Sequence, residues 1–239
     1  MSTLLLRLAG PMQSWGISSN YNIRRAGTEP SKSAVIGMIA SALGRKREDP
    51  IEDLSRLRFG FRADQPGEMQ KDFQTVKVKG LTNKIVTNRY YLSDAIFLAG
   101  IESEDDGFLK QIENALKNPV FHIYLGRKSY PPTLPLVLGV RQQPLEEALK
   151  SEPWLVPDWR QKKESSRLRI VVDSFDRYTS ISSDLPISFD SKKRLYGSRF
   201  TRQFTTEVEK MFSDTRGLPL DIKKEPSTEH DAFSEIDTP

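Results

Sequence analysis

Arginine and lysine recur in this chain in short clusters, and their neighbours decide what chemistry they could perform. The clusters are Arg24-Arg25, Arg45-Lys46-Arg47, Arg127-Lys128, Arg160 to Lys163, Lys192 to Arg194, and Arg199 with Arg202. Two sit between glycine and aromatic residues, in Gly126-Arg127-Lys128-Ser129-Tyr130 and Tyr196-Gly197-Ser198-Arg199-Phe200. Glycine lets the backbone approach a phosphate, arginine forks onto its oxygens, and an aromatic ring can take a base. The alternative for any one cluster is a solvated charged face. Trp15 closes the stretch Gly10-Pro11-Met12-Gln13-Ser14-Trp15-Gly16, which has neither a P-loop nor a dinucleotide pattern. Two accounts of it stand: a strand-ending turn around a packed tryptophan, or a loop whose N–H groups and indole meet a nucleotide.

Other chemistries are poorly served. There is no cysteine, hence no disulfide, thiolate nucleophile or cysteine-type zinc site. The two histidines, His122 and His230, lie more than one hundred residues apart, which argues against a histidine metal cluster. Metal-independent RNA cleavage wants a base that titrates near neutrality. His122, in Val-Phe-His-Ile-Tyr-Leu, is open to two interpretations: an exposed base near Tyr124 and Lys128, or a half-buried strand residue. His230 lies among acids, and Asp105-Asp106 reads as an acidic helix start. No catalytic residue, metal or cofactor is expected.

The total charge is +4, but it is unevenly spread. From Asp221 onward six acids face Lys223 and Lys224, a net −4, which leaves +8 on residues 1–220. A basic body suggests a polyanionic partner. No stretch approaches the roughly 20 apolar residues of a membrane span, and the N-terminal apolar run is too short for a signal-peptide core. A cytoplasmic protein without a membrane partner is therefore expected.

The elements that must carry these residues follow from hydrophobic periodicity. Leu4 to Ala9 reads as a strand with Leu4, Leu6 and Leu8 on one face. A helix opens at Pro30-Ser31 and runs to Leu43, with Ile36, Ile39, Ala40 and Leu43 inward and Gly44 at the C-terminal cap. Arg56 to Arg62 alternates as a second strand. Phe73 to Val86 is β-prone but carries Lys77, Lys79 and Lys84, which suggests a protruding hairpin. Tyr91 to Ala99 is predicted as a strand, Glu104 to Lys117 as an amphipathic helix, and Val120 to Leu125 as a further strand. This order predicts an α+β, ferredoxin-like (split βαβ) domain over residues 1–126. Residues 127–212 read as a Pro-rich connector and a mostly β region, with strands at Leu168 to Val172, Ile187 to Phe189 and Phe200 to Val208. Residues 213–239 are expected to form an acidic, flexible tail.

Taken together, the ordered motifs resemble a known family. Leu4-Leu5-Leu6-Arg7-Leu8-Ala9-Gly10-Pro11-Met12-Gln13-Ser14-Trp15-Gly16 closely resembles the start of the CasD family, the guide-RNA 5′-handle subunits of the Cascade complex in type I-E CRISPR systems. Pro30-Ser31-Lys32-Ser33 with Ile36-Gly37-Met38-Ile39, Asp72-Phe73-Gln74-Thr75, Arg89-Tyr90-Tyr91-Leu92-Ser93-Asp94-Ala95 and Tyr124-Leu125-Gly126-Arg127-Lys128-Ser129-Tyr130-Pro131-Pro132 follow in the same order. A looser match covers Leu195 to Phe204.

The resemblance implies a body of the repeat-associated RNA-binding superfamily, with a thumb hairpin inserted near residues 76–88. It implies a non-catalytic role: binding the 5′ handle of the guide RNA, capping the backbone filament and contacting the large target-recognition subunit. Double-stranded DNA would be met only through the assembled complex. By analogy Trp15, Arg25, Arg127 and Lys128 would contact the handle, and Lys77 and Lys84 would lie on the thumb. Arg24, Arg199 and Arg202 complete the candidate RNA-binding set. Related type I-C subunits cleave precursor guide RNA, so a processing endoribonuclease using His122 with Tyr124 or Lys128 is the main alternative. A scaffold without RNA specificity of its own is another.

Overall fold

The computed structural model describes residues 1–16, 23–24, 26–77, 85–176 and 178–210. Its first strand, β1 (Ser2–Ala9), is buried along nearly its whole length. Leu4, Leu6 and Leu8 enter the larger core cluster, whereas Leu5 enters a second cluster on the opposite face. Burial on both faces explains why the strand is apolar almost without interruption.

The helix α1 (Lys32–Ala42) follows, with Ser31 as its N-cap and the Ser31 hydroxyl accepting from the Ala34 N–H at 3.3 Å. It ends in a Schellman turn: the Arg45 N–H reaches the Ala40 carbonyl, the Gly44 N–H reaches that of Ser41, and Gly44 takes φ +79°. Next come β2 (Arg58–Gln65), β3 (Glu68–Val76), β4 (Ile85–Ser93) and β5 (Ile96–Ser103). Strands β3 and β4 pair as a hairpin standing off the body, with every residue of β3 exposed. The hairpin thus begins at Glu68, earlier than the sequence suggested. The predicted strand Tyr91 to Ala99 is divided at Asp94, whose φ of +53° marks the turn from hairpin to sheet.

The second long helix, α2 (Asp106–Lys117), is capped by Asp105 and buries Leu109, Ile112 and Leu116. No strand forms at Val120–Leu125, contrary to expectation. The backbone bonds of that segment go to a helix end and to loops instead of a neighbouring strand, from the Val120 N–H to the Ala42 carbonyl and from the Leu125 N–H to that of Tyr130. The Leu125 carbonyl accepts from the Ser14 N–H. The edge of β1 is taken instead by β6 (Val137–Arg141). After β6 come α3 (Leu145–Ser151), β7 (Arg167–Asp173), β8 (Ser180–Ser188) and β9 (Leu195–Glu207).

These strands make one seven-stranded antiparallel sheet in the order β6-β1-β5-β2-β7-β9-β8. It continues across residue 126, because β7 pairs with β2. Helices α1 and α2 cover one face through the larger cluster, and α3 covers the other through Leu145, Ala148 and Leu149. Among the described residues no helix is long and apolar enough to cross a membrane.

Two buried ionic groups lock the layers together. Arg62 is fully buried and forks onto Asp64 at 2.7 and 2.9 Å. It also donates to the carbonyls of Leu149, Glu152 and Pro153 at the end of α3. Burial pushes the Asp64 carboxyl upward, and the Arg62 guanidinium opposes that shift. The second group joins Arg199 of β9 to Asp184 of β8 and Asp173 of β7, and Lys32 of α1 meets Asp173 at 2.9 Å. The Lys32 and Phe59 N–H groups donate to Asp184 and Asp173 at 2.7 and 3.0 Å. The start of α1 is therefore fixed to three strands.

Candidate nucleic-acid interface

The exposed side of α1 forms one wall of a groove of about 1390 Å³. Ser33, Gly37 and Ser41 come from the helix, while Phe121 to Tyr124 and Gly126 to Lys128 form the facing wall. Phe189 and Arg194 from the turn between β8 and β9, with Tyr196 at the start of β9, complete the lining. The Schellman turn delivers Arg45, Lys46 and Arg47 to the rim. Six cations thus line the groove (Arg45, Lys46, Arg47, Arg127, Lys128 and Arg194) without a carboxylate among the lining residues.

Their partners divide them by role. Arg45 forks onto Asp53 and donates to the Pro50 carbonyl at 2.9 Å. The hydrogen bond it donates to Asp53 raises the Arg45 pKa, and the same contact holds the Asp53 carboxyl below its usual range. Arg45 is therefore a charge-paired strut. Arg127 donates to the Tyr90 carbonyl at 3.0 Å and the Tyr130 hydroxyl at 3.3 Å, tying the groove wall to the hairpin. Lys46, Arg47, Lys128 and Arg194 are exposed and have no side-chain partner among the described residues. Four unneutralised cations beside exposed rings of Phe121 and Tyr196 suit phosphates interleaved with bases.

Gly126 makes the wall possible. It has φ +91°, and a Cβ there would fall 1.8 Å from the Ser14 carbonyl oxygen. Gly126→Ala is expected to destabilise the protein by about 1–3 kcal/mol and to loosen the 125–130 loop. Chemical denaturation would check this, with the midpoint moving to lower denaturant.

The candidate residues named from sequence are scattered. Arg127 and Lys128 lie in the groove. Trp15 is 2% exposed, and its Nε1–H donates to Gln13 Oε1 at 2.9 Å, so it is the packed tryptophan and offers no surface ring. Arg199 is buried, with Nε and Nη2 on Asp184 and Nη1 on Asp173. Burial works to lower its pKa, but Asp184 and Asp173 prevail and raise it, and its donors are committed to the fold. Arg202 pairs with Glu146 of α3 and lies 4.9 Å from the Phe204 ring centroid, on the sheet face away from α1. Lys77 is exposed at the end of β3. Arg24 sits in a two-residue strand beside Arg89 of β4, whereas Arg25 and Lys84 lie outside the described residues. Sequence reasoning noted the Arg45-Lys46-Arg47 and Lys192 to Arg194 clusters without placing them in the site. The signal for the first was its position directly after the helix-closing Gly44.

Antiparallel sheet, helical layers on both faces, a standing hairpin and a cationic groove define a mixed α/β protein with a surface suited to nucleic acid. The chain belongs to the family "CRISPR-associated protein (Cas_Cas5)", whose model matches residues 3–202. It is 33% identical over 177 residues to the CRISPR system Cascade subunit CasD of Escherichia coli (strain K12), covering 64% of this chain and 78% of that protein. Among solved structures it resembles a chain of a CRISPR RNA-guided surveillance complex, at TM-score 0.73 and 34% identity, over 86% of this chain and 90% of that one. A second, described as a Cas protein, superposes at TM-score 0.69 with 36% identity, over 87% of this chain and 97% of the other.

Proposed function

We propose that this chain is a non-catalytic subunit of a type I-E CRISPR surveillance complex and that its groove binds the 5′ handle of the guide RNA. The observation that carries the proposal is the groove itself, with four exposed, unpaired cations beside aromatic rings and no lining carboxylate. Lys46, Arg47, Lys128 and Arg194 would take phosphates, and Phe121 and Tyr196 would take bases. Membership of the Cas5 family and likeness to a Cascade subunit support the biological setting. The strand order β6-β1-β5-β2, with α1 and α2 as crossovers, supports a ferredoxin-like body.

The remaining roles follow from the same assignment. The body caps the backbone filament and helps dock the large target-recognition subunit, through which double-stranded DNA is met in the cytoplasm. The hairpin β3–β4 serves as the thumb toward the adjacent backbone subunit. Its outer part exposes Phe73 at 66% and Val86 at 52%, apolar area suited to a protein partner.

His122, Tyr124 and Lys128 line the same groove, which is the observation favouring the rival endoribonuclease. Incubation with precursor guide RNA in the presence of a chelator separates the two. Intact RNA bound at the handle is expected, whereas specific cuts within the repeat, lost in His122→Ala, would overturn the non-catalytic assignment.

A further inference from the structure

Trp159 stands apart from the groove on a short helix, Asp158–Gln161, that is anchored from below. Trp154 donates its Nε1–H to the Asp64 carbonyl at 3.0 Å, and the Leu155 N–H donates to the Asp64 carboxylate at 2.8 Å. The buried Gln161 side chain donates to the Val156 carbonyl at 2.9 Å. Trp154, Val156, Leu168 and Val208 form a small apolar cluster beneath the turn. Of the three tryptophans in the chain, Trp15 and Trp154 are buried, whereas Trp159 is 58% exposed.

Two cations face this ring directly. The Arg160 guanidinium and the Lys163 ammonium each lie 5.9 Å from its centroid. Lys162 and Arg167 are exposed in the same segment. Against these four cations stand Asp158, Glu164 (bound to Arg160 at 2.6 Å) and Glu207, the cross-strand partner of Arg167. An exposed indole flanked by two cations combines a stacking face with phosphate partners.

We infer that Trp159 and its cations form a second nucleic-acid contact, which takes a single-stranded segment by stacking a base on the indole and pairing phosphates with Arg160 and Lys163. This contact does not extend the groove. Tyr196 lines the groove, and Glu207 is the cross-strand partner of Arg167. Along β9 these two stand about 36 Å apart at ~3.3 Å per residue. A separate strand, or a distant part of a long one, is therefore its ligand. Tryptophan and arginine also mark protein-binding hot spots, but two cations held against the exposed indole favour a polyanion with bases to stack.

Because Trp159 is the exposed tryptophan, its fluorescence reports occupancy directly. The full chain is titrated with an oligothymidylate of about ten nucleotides, following emission and acrylamide quenching. The titration is repeated in the Arg47→Glu/Lys128→Glu/Arg194→Glu groove variant. In both proteins the oligonucleotide is expected to quench Trp159 and shield it from acrylamide, less so as salt rises. Trp159→Leu should abolish the signal and weaken oligonucleotide binding to the groove variant by roughly tenfold to a hundredfold, leaving handle affinity of the otherwise native protein unchanged. Unaltered emission at low salt, or equal binding with and without Trp159, overturns the inference. So does a Trp159→Leu protein that binds oligonucleotide normally but fails to enter the assembled complex, since that outcome makes the patch a protein contact.

Discussion

Arg62→Ala is expected to destabilise the protein by about 3–5 kcal/mol, the range for removing one partner of a buried ion pair. The loss has two parts. Asp64 would remain fully enclosed with its charge unopposed, while still holding the Leu155 N–H. The carbonyls of Leu149, Glu152 and Pro153 would lose their shared donor at the end of α3. In a chain of this size the midpoint of thermal unfolding should fall by about 10 °C. Arg62→Met with Asp64→Leu removes the stranded charge, so it should recover part of the loss. The three carbonyls still lack a donor, so recovery should be incomplete. Calorimetry on the three proteins checks the order, and a near-native midpoint for Arg62→Ala would contradict it.

Arg62 also marks a limit of what the sequence discloses. It stands in the alternating stretch Arg-Leu-Arg-Phe-Gly-Phe-Arg, predicted as a strand whose arginines share the face opposite Leu57, Phe59 and Phe61. Both faces of β2 are in fact covered, one by α1 and α2 and the other by α3, so the arginine face is covered too. Alternation shows which residues share a face, but not whether a second layer covers it. The missed strand has a related cause. Val120–Leu125 is apolar enough for a strand, yet its backbone groups are spent on Ala42, Ser14 and Tyr130. The edge of β1 was left to Val137–Arg141, inside the Pro-rich stretch read as a connector. Helices with strong caps were legible: Ser31, Gly44 and Asp105 all perform the capping their types suggest.

The largest functional effect is expected from the groove. Arg47→Glu/Lys128→Glu/Arg194→Glu removes three exposed, unpaired cations and leaves the Arg45–Asp53 strut and the Arg127 ties in place. For single strands the salt dependence carries about 0.7 per phosphate contact, so the logarithmic slope should fall by about 2. At 0.1 M salt that corresponds to roughly hundredfold weaker RNA binding, before any repulsion from the new carboxylates. Stability should barely change, because exposed charges without partners contribute little to folding. A triple variant that unfolds early, or one that binds RNA as tightly as its parent, would remove the groove from consideration.

The site was only partly legible for a physical reason. Chain proximity of glycine, arginine and aromatic residues picked out Gly126-Arg127-Lys128, and the tight turn does bring these neighbours to the groove wall. The same pattern around Arg199 failed, since two aspartates distant in sequence, Asp173 and Asp184, claim its guanidinium. Whether a cation is free depends on what the sheet brings opposite it. Arg47 and Arg194, far apart in the chain, meet on one groove for the same reason.

The most direct test is to measure binding of the purified chain to its cognate 5′-handle RNA and to a scrambled RNA of equal length across a salt series. Preference for the handle that persists at moderate salt, and is lost in the triple groove variant, is the predicted result. Equal binding of both RNAs, falling steeply together as salt rises, would contradict handle recognition by this chain and reduce the groove to a general phosphate-attracting surface.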